Sequence, residues 1–90
     1  MNFDLIFSQN SKCPVRNIGD GLVIMAPSGD TTHSLEEIGA FIWNQLDGKR
    51  TLQGVHEAIL ADYEIDDETA RNDLTDFITQ MQNAGLILES

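Results

Sequence analysis

The chain has 90 residues, 41% of them apolar, and a net charge of −10. That length fits one domain and excludes bulk disorder, but leaves a core too small for a spacious catalytic cleft. The charge is unevenly placed: Asp4, Asp20 and Asp30 against Lys12 and Arg16 leave −1 in residues 1–30, while twelve acids against Lys49, Arg50 and Arg71 leave −9 in residues 31–90. Phosphate recognition needs clustered Lys and Arg, so nucleic acid and anionic membrane are disfavoured as partners, and a basic peptide or protein surface is favoured.

Phe3 to Phe7 is expected as a short strand or an arm laid on the body. Val15–Ile18 and Leu22–Ala26 read as extended runs joined by the tight turn Gly19-Asp20-Gly21. Pro14 fits the first residue of a strand, and Pro27-Ser28-Gly29-Asp30 makes a second turn. Thr31 to Ser34 then forms a short polar third strand, an exposed edge.

Ser34 with Glu37 three residues on has the pattern of a capping box for a first helix. Ile38, Phe41, Ile42 and Leu46 give that helix its apolar stripe, and Gly48 its stop. Thr51 is expected to cap a second helix with Leu52, Val55, Ile59 and Tyr63 on one face. Asp66 or Asp67 caps a third, striped by Ala70, Leu74, Phe77, Ile78 and Met81, and stopped by Gly85. Leu86-Ile87-Leu88 returns as a strand or tail. The expected fold is α+β: a winged helix-turn-helix-like domain with a three-stranded antiparallel sheet followed by three helices. Residues 1–13 form the arm or strand, 14–35 the β unit and 36–88 the three-helix unit, all in one domain spanning 1–90.

Few residues suggest chemistry. Cys13, the lone cysteine, forms no internal disulfide, which fits a reducing compartment. It reads as a small apolar filler rather than a nucleophile. His33 and His56 have no metal-site spacing with it. His33 is expected on a half-exposed strand and His56 facing solvent. The seven carboxylates between Asp62 and Asp76 do not follow the calcium-loop register and read as a solvated, dipole-favoured helix start. Trp43 is expected in the core. The start lacks a basic n-region, and no run reaches the roughly 20 apolar residues of a membrane span, so a soluble cytoplasmic protein is expected.

The segments Leu35-Glu36-Glu37-Ile38-Gly39-Ala40-Phe41-Ile42-Trp43, Leu46-Asp47-Gly48, Thr51-Leu52, Tyr63, Asp73-Leu74, Phe77-Ile78 and Gly85-Leu86-Ile87 recur in this order. Over roughly residues 14–88 the chain resembles the PQQ-synthesis protein D (PqqD)-like family, the recognition element of ribosomally synthesised, modified peptides (RiPPs). It departs in having Leu35-Glu36 where members usually have Leu-Asn. The resemblance implies a non-catalytic, cofactor-free peptide chaperone. Such a domain binds the leader segment of a precursor peptide and presents the core to a modifying enzyme, such as a radical-SAM protein or a leader peptidase. It implies strand addition at Thr31, Thr32, His33, Ser34 and Leu35. The third helix would line the groove through Arg71, Leu74, Thr75, Ile78 and Gln82; its opposite flank carries Asp73, Phe77 and Gln80. A monomer and a homodimer both stay open. A winged-helix protein–protein adaptor or transcriptional regulator is the alternative, and a small enzyme or carrier built on Cys13 a third reading.

Overall fold

The computed structural model describes all 90 residues, Met1–Ser90. Its elements are β1 (Ile6–Gln9), β2 (Val15–Ile18), β3 (Gly21–Met25), β4 (Thr32–Leu35), α1 (Ile38–Gln45), β5 (Asp47–Thr51), α2 (Leu52–Asp62), α3 (Asp67–Asn83) and β6 (Ile87–Glu89). The strands form two three-stranded antiparallel sheets, ordered β2-β3-β4 and β5-β1-β6. The fold is α+β, with a β wing leading into three helices as expected. No helix is long and apolar enough to cross a membrane.

The wing is a meander with short turns. Val15 pairs with Ile24 and Ile18 with Gly21, leaving Gly19 and Asp20 as a two-residue connection. Gly19 takes φ +59° and Asp20 stays at negative φ, the II′ pattern whose twist matches the strands. Leu22 and Ile24 point inward and are buried. They join one cluster with Ile42, Trp43, Leu52, Ile59, Leu74 and Ile78. Trp43 is a core residue, as its sequence position suggests.

The second sheet is larger than the sequence implies. The N-terminal arm supplies its central strand, with Phe7 buried and paired with Glu89 of β6. The chain end returns as its other neighbour. β5 was not expected at all: Asp47-Gly48-Lys49-Arg50-Thr51 has no apolar alternation. Gly48 is therefore not a helix stop but a strand residue at φ +78°, at the register break opposite Ile6–Ser8, the β-bulge use of glycine. The Asp47 carboxylate accepts from the N–H groups of Lys49 and Arg50, both at 2.9 Å. These bonds hold the chain in the bend.

Helix starts divide into two kinds. Thr51 Oγ1 accepts from Gly54 N at 3.1 Å, and Asp66 Oδ2 from Thr69 N at 3.1 Å, so both expected caps form. The arm completes α2: Leu5 and Phe3 carbonyls accept from Leu52 N and Gln53 N, each at 2.9 Å, satisfying donors with no partner inside the helix. Ser34, by contrast, caps nothing. β4 continues through Leu35, which pairs with Leu22, so the chain turns only at Glu36–Glu37. Glu37 enters α1 at φ +49° without a side-chain cap.

The end of α3 follows the sequence. Gly85 takes φ +76°. Its N–H donates to Gln82 O and that of Leu86 to Met81 O, the Schellman pattern. Cys13 is buried with its Sγ 3.8 Å from Gly85 O, and burial pushes its thiol pKa up. It packs as a small apolar filler against the end of α3.

Candidate functional site

β4 is an edge strand, paired with β3 on one side only. Two backbone bonds fix which of its groups are used. Met25 N donates to Pro14 O on the β2 side, and Ala26 N donates to Thr31 O on the β4 side. Hydrogen-bonding direction alternates along a strand, so Thr31, His33 and Leu35 turn their backbone groups toward β3. Thr32 and Ser34 therefore aim their N–H and C=O groups at the free edge. Their side chains stand on the outer face of the sheet, while Leu35 is buried and His33 half-buried on the inner one.

Gly39 of α1 relates the end of β4 to α3. A Cβ built at Gly39 would sit 3.7 Å from Leu35 Cδ2 and 3.7 Å from Phe77 Cε2. The end of β4 and Phe77 thus flank one position of α1. Phe77 is half-buried. Asp73 and Gln80, four residues before it and three after, lie on the same flank and are exposed. Through Gly39 this flank is related to Leu35 at the end of β4.

The residues proposed from sequence for the helix side sit elsewhere. Leu74 and Ile78 are fully buried core residues, out of reach of a peptide on the surface. Their 3/4 spacing marks the stripe that faces the interior. Arg71 lies on the α2 side of α3. Its guanidinium stands 4.6 Å from the ring centre of Phe3 and its Nε 3.8 Å from Asp67 Oδ2. Thr75 donates its hydroxyl to Arg71 O at 2.9 Å, and Gln82 is exposed on that same side. Of the expected set, the structure brings together Thr31, Thr32, His33, Ser34 and Leu35. It does not bring Arg71, Thr75 or Gln82 to them.

The Arg71 side holds a polar cluster that sequence reading missed. His56 is 1% exposed, not solvent-facing. Its Nε2 lies 2.8 Å from Asp67 Oδ1 and its Nδ1 has no partner. The carboxylate only accepts, so Nε2 carries the hydrogen. That bond holds the Asp67 carboxyl below its ordinary pKa. Phe3 closes over the imidazole edge-to-face at 5.9 Å. The position of His56 one residue after Val55 in the α2 stripe was the available signal. No three His, Cys, Asp or Glu side chains converge as a metal site.

The model of the family coenzyme PQQ synthesis protein D (PqqD) matches residues 21–87. No curated protein matches the chain. Among solved structures, TbiB1 in complex with the TbiA(beta) leader peptide is similar at 26% identity and TM-score 0.80. That match covers 89% of this chain and 93% of the other. A lasso peptide synthetase B1 complexed with the leader peptide is similar in fold at 20% identity and TM-score 0.79, covering 91% and 96%. The chain belongs to the coenzyme PQQ synthesis protein D (PqqD) family.

Proposed function

We propose that this domain binds the leader segment of a ribosomally synthesised precursor peptide by strand addition to β4. It then presents the peptide to a modifying enzyme, itself performing no catalysis. The observation that carries this reading is the free backbone ladder of Thr32 and Ser34 beside the Phe77 flank of α3. An added strand gains main-chain hydrogen bonds there, and alternate side chains reach the groove beside Phe77. The similar structure TbiB1 was solved with a leader peptide, which supports the reading. The strand side is Thr31, Thr32, His33, Ser34 and Leu35. On α3 the reading uses Asp73, Phe77 and Gln80 in place of Arg71, Thr75 and Gln82.

Tethering the leader raises the effective concentration of the core peptide at the enzyme. The enzyme is a radical-SAM protein or a leader peptidase encoded nearby, and the chain works in the cytoplasm where its lone thiol stays reduced. Isotope-labelled protein titrated with leader peptides from neighbouring short reading frames tests the reading. Amide shifts at Thr32, Ser34 and Phe77 support it. A leader that binds while those amides stay still rules out strand addition at β4.

A further inference from the structure

The wing sheet has an inner face spent on the core and an outer face that nothing covers. Outward residues are Arg16 and Ile18 on β2, Val23 and Met25 on β3, and Thr32 and Ser34 on β4. Ile18 is 58% and Met25 40% exposed. Single exposed apolar side chains are ordinary, but these are contiguous and concave. Three depressions, of about 360, 190 and 250 Å³, adjoin along this face as a trough: all share Ile18, the first two also Val23, and the last two also Gly21 and Glu36. One end is mainly apolar, with Pro14, Val15, Val23 and Met25 beside Arg16 and Thr32. The other is acidic, with Asp20, Glu36 and Glu37.

The acidic end is held in place. A Cβ on Gly21 would lie 3.2 Å from Glu36 Cγ, so the Glu36 stem lies across the outer face at the glycine. Its carboxylate stands beside Ile18 without a salt bridge; the two ion pairs of the protein involve Asp67. We infer that this trough is a second docking surface, taking a protein partner that presents an aliphatic side chain beside lysine or arginine. Charge decides between occupants. A second copy would bring another −10 and only five cations to a surface whose acids lack partners, whereas a basic partner neutralises them. Thr32 and Ser34 give their side chains to the trough wall and their free N–H and C=O groups to the sheet plane, so the two surfaces adjoin but use different groups.

The test titrates labelled full-length protein with acetyl-Lys-Leu-Lys-Leu-Lys-amide and with acetyl-Glu-Leu-Glu-Leu-Glu-amide. The basic probe is expected to shift Ile18, Val23, Met25 and Glu36, with binding weakened about tenfold in about 0.5 M salt, and the acidic probe to shift none. The double variant I18S/E36K is expected to keep a folded spectrum and lose the response. Shifts confined to the acids of α3, no shift at the trough, or a dimer of the unliganded protein in sedimentation would each overturn the inference. Thr32 and Ser34 border both surfaces, so Ile18 and Glu36 report the trough and Phe77 reports strand addition, and either binding mode can fail without the other.

Discussion

His56 and Asp67 form a hydrogen bond of 2.8 Å that ties the middle of α2 to the first residue of α3. The histidine end is buried, the aspartate end is in water, and Phe3 of the arm packs on the ring. The bond therefore joins three segments of the chain at one point. Replacing His56 by alanine opens a cavity and removes the seat of Phe3, and is expected to destabilise by about 2–4 kcal/mol. Asp67→Ala should destabilise less, because only the partner of Nε2 is lost, and Asp67→Asn least, because its amide oxygen still accepts. Urea midpoints in any other order would show that the imidazole owes its position to packing alone.

Acid should weaken the fold through three named aspartates. Asp66 and Asp67 are held below their ordinary pKa mainly by hydrogen bonds from Thr69 and His56, and Asp47 by the N–H groups of Lys49 and Arg50. A depressed folded-state pKa means that the unfolded chain binds more protons across the window between the two values. Stability from each is thus complete above about pH 4 and is lost as pH falls through the folded value. Relief of self-repulsion near the sequence pI of 4.2 acts in the opposite direction, so the variant comparison isolates the effect. Asn at position 66 still caps α3 but does not titrate. The Tm difference between wild type and Asp66→Asn is expected to be constant from about pH 7 to 5 and to shrink as pH falls below the ordinary aspartate value of about 3.9. A difference that stays constant throughout the acid range contradicts the assignment.

Two glycines should respond to alanine with opposite signs. At Gly21 the new Cβ would lie 2.6 Å from the backbone oxygen of Leu35, an overlap relieved only by moving the β3–β4 pairing. A loss of about 1–3 kcal/mol follows. At Gly39 the nearest atoms are 3.7 Å away, ordinary contact, and alanine is the better helix residue by about 0.5–1 kcal/mol. Thermal melts of the two variants should move in opposite directions. A stable Gly21→Ala protein would mean that Leu35 does not turn over the end of β3 as described.

The wing, the three helices and two of the caps were legible because each rests on a local signal: apolar alternation in Leu22–Ile24, 3/4 stripes, or an Asp or Thr three residues before a free N–H. What was not legible depends on contacts distant in sequence. β5 becomes a strand because the N-terminal arm pairs with it, and its own residues carry no strand pattern. Ser34 fits a capping box locally, but pairing of Leu35 with Leu22 holds it in β4. His56 looked solvated beside Glu57, yet the arm covers it. The groove flank had no local signal for the same reason: the apolar stripe of α3 identifies its buried face, while the choice between its two borders depends on where α1 places Leu35.

That choice of border gives the sharpest test of the binding site. Phe77 is half-buried with its ring edge at the position that Gly39 leaves open, so it can offer a groove wall without unfolding α3. Phe77→Ala is expected to weaken leader binding about tenfold or more, equivalent to about 1.4 kcal/mol. Arg71→Ala and Gln82→Ala should leave binding within about twofold, since they lie on the border of α3 opposite Phe77. Thr32→Pro removes an N–H that points outward and serves no bond within the wing. A folded Thr32→Pro protein should therefore lose binding through one missing ladder donor. Calorimetric titration of the four variants with one leader peptide separates the borders. Strong loss at Arg71 and Gln82 with none at Phe77 would put the peptide on the far side of α3 and detach it from β4.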